Sequence, residues 1–334
     1  MFAFKVEKPD AARRYHEKKK KSVNGSYYEG RRFSLNGNKE NILRASILES
    51  GWMMEQITLR DVSVVSGNAI NIGASELHTG RVDGGRFRKK VSINGTEFWL
   101  SETDTCATIG YGEMSDIYNL GNASNFDDAM DDFFSKAYSL DMLRIGFNGS
   151  SISETTDQEV NKKGEDVNIG WHALAKDYME GKQIVSEPLT LGETGQWKNI
   201  DLLVNHLITN MIAEPYREDP RLVVLIGAEL AAQQRLRLFN AADRPANVST
   251  AQMATSSIAG RFAFVPPFMP GKRLAVTTLS NLHIYTQANS RLFRAEFDDD
   301  NCEYVHSYLR NEGYALGNPE LYAAVDEHSI ELVE

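Results

Sequence analysis

Ile57-Thr58-Leu59-Arg60-Asp61-Val62-Ser63-Val64-Val65 alternates apolar and polar side chains as a half-buried strand does, and Ala69-Ile70-Asn71-Ile72 carries the pattern on. Residues 73–90 then leave it. They hold Gly73, Gly80, Gly84 and Gly85 and end in Arg86, Arg88, Lys89 and Lys90. Strand-like sequence resumes at Val91-Ser92-Ile93 and Phe98-Trp99-Leu100, and continues to Ala107-Thr108-Ile109. The stretch therefore predicts a long two-stranded hairpin with a polar, basic tip. An isolated hairpin is marginal in water. One this long is expected to lie on something else, either its own domain or another copy of the chain.

The next segment is of the opposite kind. Ser124 can cap a helix, with Asp127 three residues on. Phe126, Met130, Phe133, Phe134, Ala137 and Leu140 recur at helical spacing, and Asn148-Gly149 marks the exit. A second helix is predicted over 197–213 from Ile200, Leu203, Val204, Leu207, Ile208, Met211 and Ile212. Pro215 and Pro220 bracket a turn before Leu222-Val223-Val224-Leu225-Ile226, which reads as a buried strand by length and branching, and Gly227 opens a helix through Phe239. Further strands are expected at 261–265, 274–278, 282–285, 292–297 and 323–325. The mixture is α+β.

Upstream of the hairpin, residues 1–40 are polar and charged, with Asn24-Gly25 and Asn36-Gly37, and read as an arm; a short helix or packed segment is expected at 42–54. Residues 1–33 hold ten bases, among them Lys18-Lys19-Lys20-Lys21, against four acids, a net of +6. The chain's overall charge is -10, so the other 301 residues carry -16. A basic arm on an acidic body suits a polyanion or a neighbour's acidic surface, and it also suits a plain solubilising tail.

The 334 residues, 42% hydrophobic and 25% charged, have the balance of a soluble globular protein and length for more than one core. No stretch reaches the roughly 18 apolar residues of a membrane span, and the N-terminus lacks the apolar core of a signal peptide, so cytosolic synthesis is expected. Cys106 and Cys302 lie far apart and read as two structural thiols, not as a redox or zinc pair.

The usual chemical motifs are absent. There is no G-x-x-x-x-G-K-S/T loop, no G-x-S-x-G elbow and no H-E-x-x-H, and Gly110-Tyr111-Gly112 lacks the third glycine of a dinucleotide fingerprint. The seven histidines (His16, His78, His172, His206, His283, His306 and His328) never pair at i, i+3 or i+4. His206 on a helix face reads as structural. Asp127, Asp128, Asp131 and Asp132 sit where a helix dipole favours carboxylates, and Asp298-Asp299-Asp300 reads as an exposed turn more readily than as a chelate. No catalytic, cofactor-binding or metal residue is assigned.

Several blocks in order resemble the major capsid protein of Peduovirus-type tailed phages. They are Ile145-Gly146-Phe147-Asn148-Gly149 with Glu154-Thr155-Thr156-Asp157, then Asp166-Val167-Asn168-Ile169-Gly170-Trp171, then Ile212 through Val224. Val265-Pro266-Pro267-Phe268-Met269-Pro270 and Leu279-Ser280-Asn281-Leu282-His283-Ile284-Tyr285 follow. The resemblance covers about residues 140–290 and, faintly, 45–115. It implies a Hong Kong 97-type fold: an N-terminal arm at 1–56, an extended loop at 57–112 lying over a neighbour, and a peripheral domain at 113–219 with a spine helix at 124–146 and the helix at 197–213. An axial domain at 220–280 and C-terminal strands at 281–334 returning to the peripheral domain complete it.

The implied function is structural: pentamers and hexamers closing an icosahedral head around double-stranded DNA, bound without sequence specificity. Scaffolding protein, portal and a maturation protease would be partners, with the protein made in the host cytoplasm and resident in the virion. Two rivals are kept. One is a bacterial nanocompartment shell around a cargo enzyme, recognisable by co-purified cargo. The other is a hydrolase using spatially paired carboxylates, recognisable by a pocket holding two acids with raised pKa values.

Overall fold

A computed structural model describes Met53, residues 56–72, Leu77 and 79–89, then 93–110, 112–113, 126–241, 257–298 and 300–333. The arm expected at 1–56, apart from Met53 and Gln56, lies outside these residues, as do the Ser124 cap and part of the 73–90 excursion. In chain order the strands and helices are β1 (Thr58–Val62), β2 (Ser66–Ile72), β3 (Ile93–Trp99), β4 (Ser101–Gly110), α1 (Phe126–Asn148), α2 (Trp171–Asp177), β5 (Ile184–Val185) and β6 (Leu189–Leu191). There follow α3 (Ile200–Asn210), β7 (Val223–Ile226), α4 (Ala228–Ala241), β8 (Ser257–Ile258), β9 (Arg261–Phe264) and β10 (Leu274–Thr277). The chain ends with β11 (Leu282–Gln287), β12 (Leu292–Asp298), β13 (Glu303–Leu316), β14 (Ala323–Val325) and β15 (Ile330–Leu332).

The two-stranded ribbon is shorter than the span 57–112. Only β2 and β3 pair with each other, antiparallel from Ser66↔Trp99 to Ile72↔Ile93. β1 instead runs parallel to β11, and β4 runs antiparallel to β13 from Ser101↔Glu312 to Gly110↔Glu303. The reason is physical: a period of two says that a strand has one buried face, not which strand is its partner. β13 is long enough to take β12 along its first half, β11 along its second and β4 on its other side.

α1 crosses this sheet, on a face one step away from the one the spacing suggests. Phe134, Tyr138 and Met142 are buried, whereas Phe133 is largely exposed. The sheet sets that choice. His306 on β13 stacks on Phe134 at 3.8 Å between centroids, and its Nδ1 lies 2.6 Å from the Tyr138 hydroxyl. α1 stops where Gly149 N–H donates to the Ile145 carbonyl at 2.7 Å. One turn earlier, Gly146 lies so close to the buried Trp171 of α2 that a Cβ there would sit 2.5 Å from the indole.

A second core forms around the order β5-β14-β10-β7-β9-β8. All four residues of β7 are buried, as the run Leu222–Ile226 suggested. Ile200, Leu203, Val204, Leu207 and Ile208 of α3 are buried in this core, and Asn199 caps the helix by accepting from Leu202 N–H at 2.9 Å. α3 thus packs with the strands after Pro220 and not beneath α1. The C-terminal strands also divide. β11 to β13 join the first sheet, but β14 pairs with β10 and β15 with β6. These are long-range pairings that a local pattern cannot encode.

Candidate assembly surface

The ribbon is anchored on one side and bare on the other. Alternate residues of a strand face opposite ways, and Phe98 turns inward onto Tyr285, with ring centroids 4.7 Å apart, beside buried Leu100 and Ala315. Thr96 Oγ1 donates to the Leu316 carbonyl at 3.1 Å, and the Leu100 N–H donates to Val65 O at 2.8 Å, closing the root. The backbones approach closely here, since a Cβ on Gly313 would lie 2.2 Å from the Trp99 carbonyl oxygen. Trp99 itself turns outward and is 63% exposed, next to exposed Val64 and Val65. Beyond the pairing, Leu77, Val82 and Phe87 are exposed as well, among the exposed bases Arg81, Arg86, Arg88 and Lys89. Single exposed apolar residues are ordinary, but a cluster of them at the root of the ribbon is a candidate surface for association.

Behind the ribbon, buried polar groups hold the sheet and helices in one arrangement. Arg310 and Glu312 of β13 are each 1% exposed and joined Nε to Oε2 at 2.5 Å. Arg310 also donates to Thr105 Oγ1 on β4 at 2.8 Å. The Tyr314 hydroxyl donates towards Glu312 Oε1 at 3.1 Å and the Met142 carbonyl of α1 at 3.0 Å, and burial, then the Glu312 charge, push its pKa well above the usual phenol value. On β11, His283 Nδ1 lies 2.7 Å from the Tyr285 hydroxyl and Nε2 lies 3.1 Å from the Ser280 carbonyl. That fits a neutral ring donating from Nε2 and accepting at Nδ1. Burial, then Arg60, lower its pKa to about 4.

The third group escaped the sequence reading, because its members are distant in the chain. His172 of α2, Asp326 and Glu327 bring one ligand-type atom each within 4.8 Å of one another. Lys176 Nζ already lies 2.8 Å from Asp326 Oδ2, and Arg273 holds Glu327 through Nε and Nη2 at 2.8 Å each. The two carboxylates are thereby neutralised, and the cluster acts as an ion-pair tie between α2 and the chain after β14. A histidine spacing rule searches one helix and could not have found it.

The other residues weighed in the sequence serve local structure. Asp298 accepts from Asp300 N–H at 3.0 Å and from Asn301 Nδ2 at 3.0 Å, ordering the turn between β12 and β13. His206 pairs with Asn210 at 2.8 Å and tilts on Trp197. Cys106 and Cys302 are exposed and no disulfide joins them. The side chains of Asp127, Asp128, Asp131 and Asp132 lie outside the described residues. Among the described residues, no helix is long and apolar enough to cross a membrane.

Comparison with known proteins agrees with this geometry. The family described as phage major capsid protein, P2 family, matches residues 13–328. The capsid proteins of Escherichia phage P2 are 26% identical over 311 residues, covering 86% of each chain. The major capsid protein of Serratia phage KSP20 is 22% identical over 275 residues, covering 77% of each. Among solved structures, a chain of the satellite phage P4 procapsid that includes the size determination protein superposes with a TM-score of 0.77 at 22% identity, over 96% of this chain and 98% of that one.

Proposed function

The chain belongs to the P2 family of phage major capsid proteins, and from that premise we propose how its copies close a shell. It is a structural protein of the capsid, with the α+β fold of phage capsid subunits. Pentamers and hexamers of it build an icosahedral head, and no chemistry is catalysed along the way. The observation that carries this reading is the ribbon β2–β3, which exposes Trp99, Val64 and Val65 at its root and a basic tip beyond. Laid over a neighbouring copy, these residues lose their contact with water. Each such contact is modest, but a closed shell makes many at once.

In this arrangement α1, α2 and the sheet centred on β13 are the peripheral domain. The six-stranded sheet with α3 and α4 is the axial domain, with β14 and β5 included because they complete its sheet. The arm 1–56 joins adjacent copies. Scaffolding protein, portal and a maturation protease act on this subunit in the host cytoplasm, before double-stranded DNA is packaged. The acidic body, -16 outside residues 1–33, repels packaged DNA, and the arm offsets that locally. The test is expression with a scaffolding protein, followed by sedimentation and negative-stain microscopy. Closed shells or capsomers are expected, with the 73–90 tip protected from protease. A protein that stays monomeric under every such condition would overturn the reading.

A further inference from the structure

One nitrogen in the tie between α2 and the chain after β14 is left without a partner. His172 is 7% exposed, and its Nε2 makes no hydrogen bond among the described residues. It faces the Asp326 carboxylate, with Oδ2 4.0 Å away. That is too long for a hydrogen bond. A buried polar atom left bare costs free energy, so its position calls for an account. In the tautomer that donates from Nδ1 to the Tyr322 hydroxyl, 3.4 Å away, Nε2 offers a lone pair.

The carboxylates beside it already hold a cation that solvent can take back. Lys176 Nζ lies 2.8 Å from Asp326 Oδ2, but the Lys176 side chain is 56% exposed. An exposed pair of this kind is weak, and the lysine can turn outward and open a path to Asp326. Arg273 differs: it is buried and fixed on Glu327. Its two hydrogen bonds take one lone pair on each Glu327 oxygen, and each oxygen has a second. With Lys176 withdrawn, two carboxylates and one guanidinium remain around a bare imidazole nitrogen, a net of -1. An imidazole beside two carboxylates is the donor set of a zinc-class ion, whereas calcium and magnesium take oxygen ligands. Ligand atoms of a tetrahedral zinc stand about 3.4 Å apart, and here the three lie within 4.8 Å of one another, so closure takes side-chain shifts on the order of 1 Å.

We propose that His172 Nε2, Asp326 and Glu327 bind one divalent transition-metal ion of the zinc class in place of the Lys176 ammonium. Water completes the shell on the side that Lys176 leaves. Tyr322 behind His172 and Arg273 behind Glu327 orient the ligands. Trp171 and Ala175 of α2 belong to the first core and Val325 of β14 to the second, so the ion clamps the two cores together. The site lies within a single subunit and does not depend on how copies assemble.

The test uses the full chain, freed of metal by a chelator and kept at a dilution where it does not assemble. Zn2+ is titrated by calorimetry, and Co2+ is followed by its visible absorption. One ion per chain is expected, with Zn2+ displacing Co2+. Zn2+ at 100 times its dissociation constant should favour the folded state in urea about 100-fold. H172Q should lose at least about tenfold in affinity. K176M, which removes an exposed competitor, should bind about two- to fivefold tighter. This second variant alters no buried group, so it decides the matter if H172Q does not fold. Any of three results overturns the proposal: no saturable binding to the wild type, equal affinity in wild type and H172Q (as exposed imidazoles such as His328 would give), or K176M binding no tighter than the wild type.

Discussion

Trp99→Ala separates folding from assembly. Trp99 is 63% exposed in the single subunit, whereas a buried aromatic removes 150–250 Å² from water. Covering the exposed part against a neighbour would therefore bury about 130 Å², which is about 3 kcal/mol at ~25 cal/mol per Å². That is roughly a 100-fold weaker contact per subunit pair once the ring is gone, within the range of an interface hot spot. The backbone of Trp99 stays in the β3 ladder with Ser66, so subunit stability should change by less than about 1 kcal/mol. Two measurements are needed: urea unfolding of the dilute subunit, and the concentration at which shells appear, followed by light scattering. The expected result is an unchanged unfolding midpoint and an assembly threshold raised by an order of magnitude or more. Wild-type assembly by Trp99→Ala would refute the ribbon root as an interface. A large loss of subunit stability would show that the ring packs within its own chain.

Further tests address the body. Gly146→Ala places a methyl 2.5 Å from Trp171, which is fixed by its Nε1–H bond to the His283 carbonyl at 3.0 Å. Helix propensity alone would stabilise by about 1 kcal/mol, but the overlap should turn this into a loss of about 1–3 kcal/mol in denaturant unfolding; a stabilised variant would show that α1 and α2 are not in contact there. Arg310→Met strands the Glu312 carboxylate in the sheet and should cost about 3–5 kcal/mol, while Arg310→Met combined with Glu312→Gln should cost less than the single change. A double variant whose loss equals the sum of the Arg310→Met and Glu312→Gln losses would mean that the pair is not coupled. His283 binds its proton in the folded chain only near pH 4, whereas the unfolded chain binds it near 6.5. Between those values the unfolded state holds the extra proton, so stability is fullest above about 6.5, falls on acidification and levels off below about 4. The total is roughly 3 kcal/mol, and a His283→Gln variant with the same pH slope as the wild type would remove His283 from the account.

What the sequence determined by itself is the set of locally encoded elements. The helices of Phe126–Asn148 and Ile200–Asn210, the buried strand Val223–Ile226 and the turn at Asp298 are written in spacing, caps and branching, because those signals act over a few residues. The alternation from Ile57 to Ile72 likewise marked strands, and the basic segment at 13–21 was visible as a charge run. Only the tertiary structure decided which strands pair. β1 goes to β11 and β4 to β13, and the ribbon keeps just β2 and β3. It also decided that Phe134 and not Phe133 faces the core, and that His172 meets Asp326 and Glu327. A residue's period fixes which way its side chain can point, but a partner far along the chain is chosen by the free energy of the whole packed core.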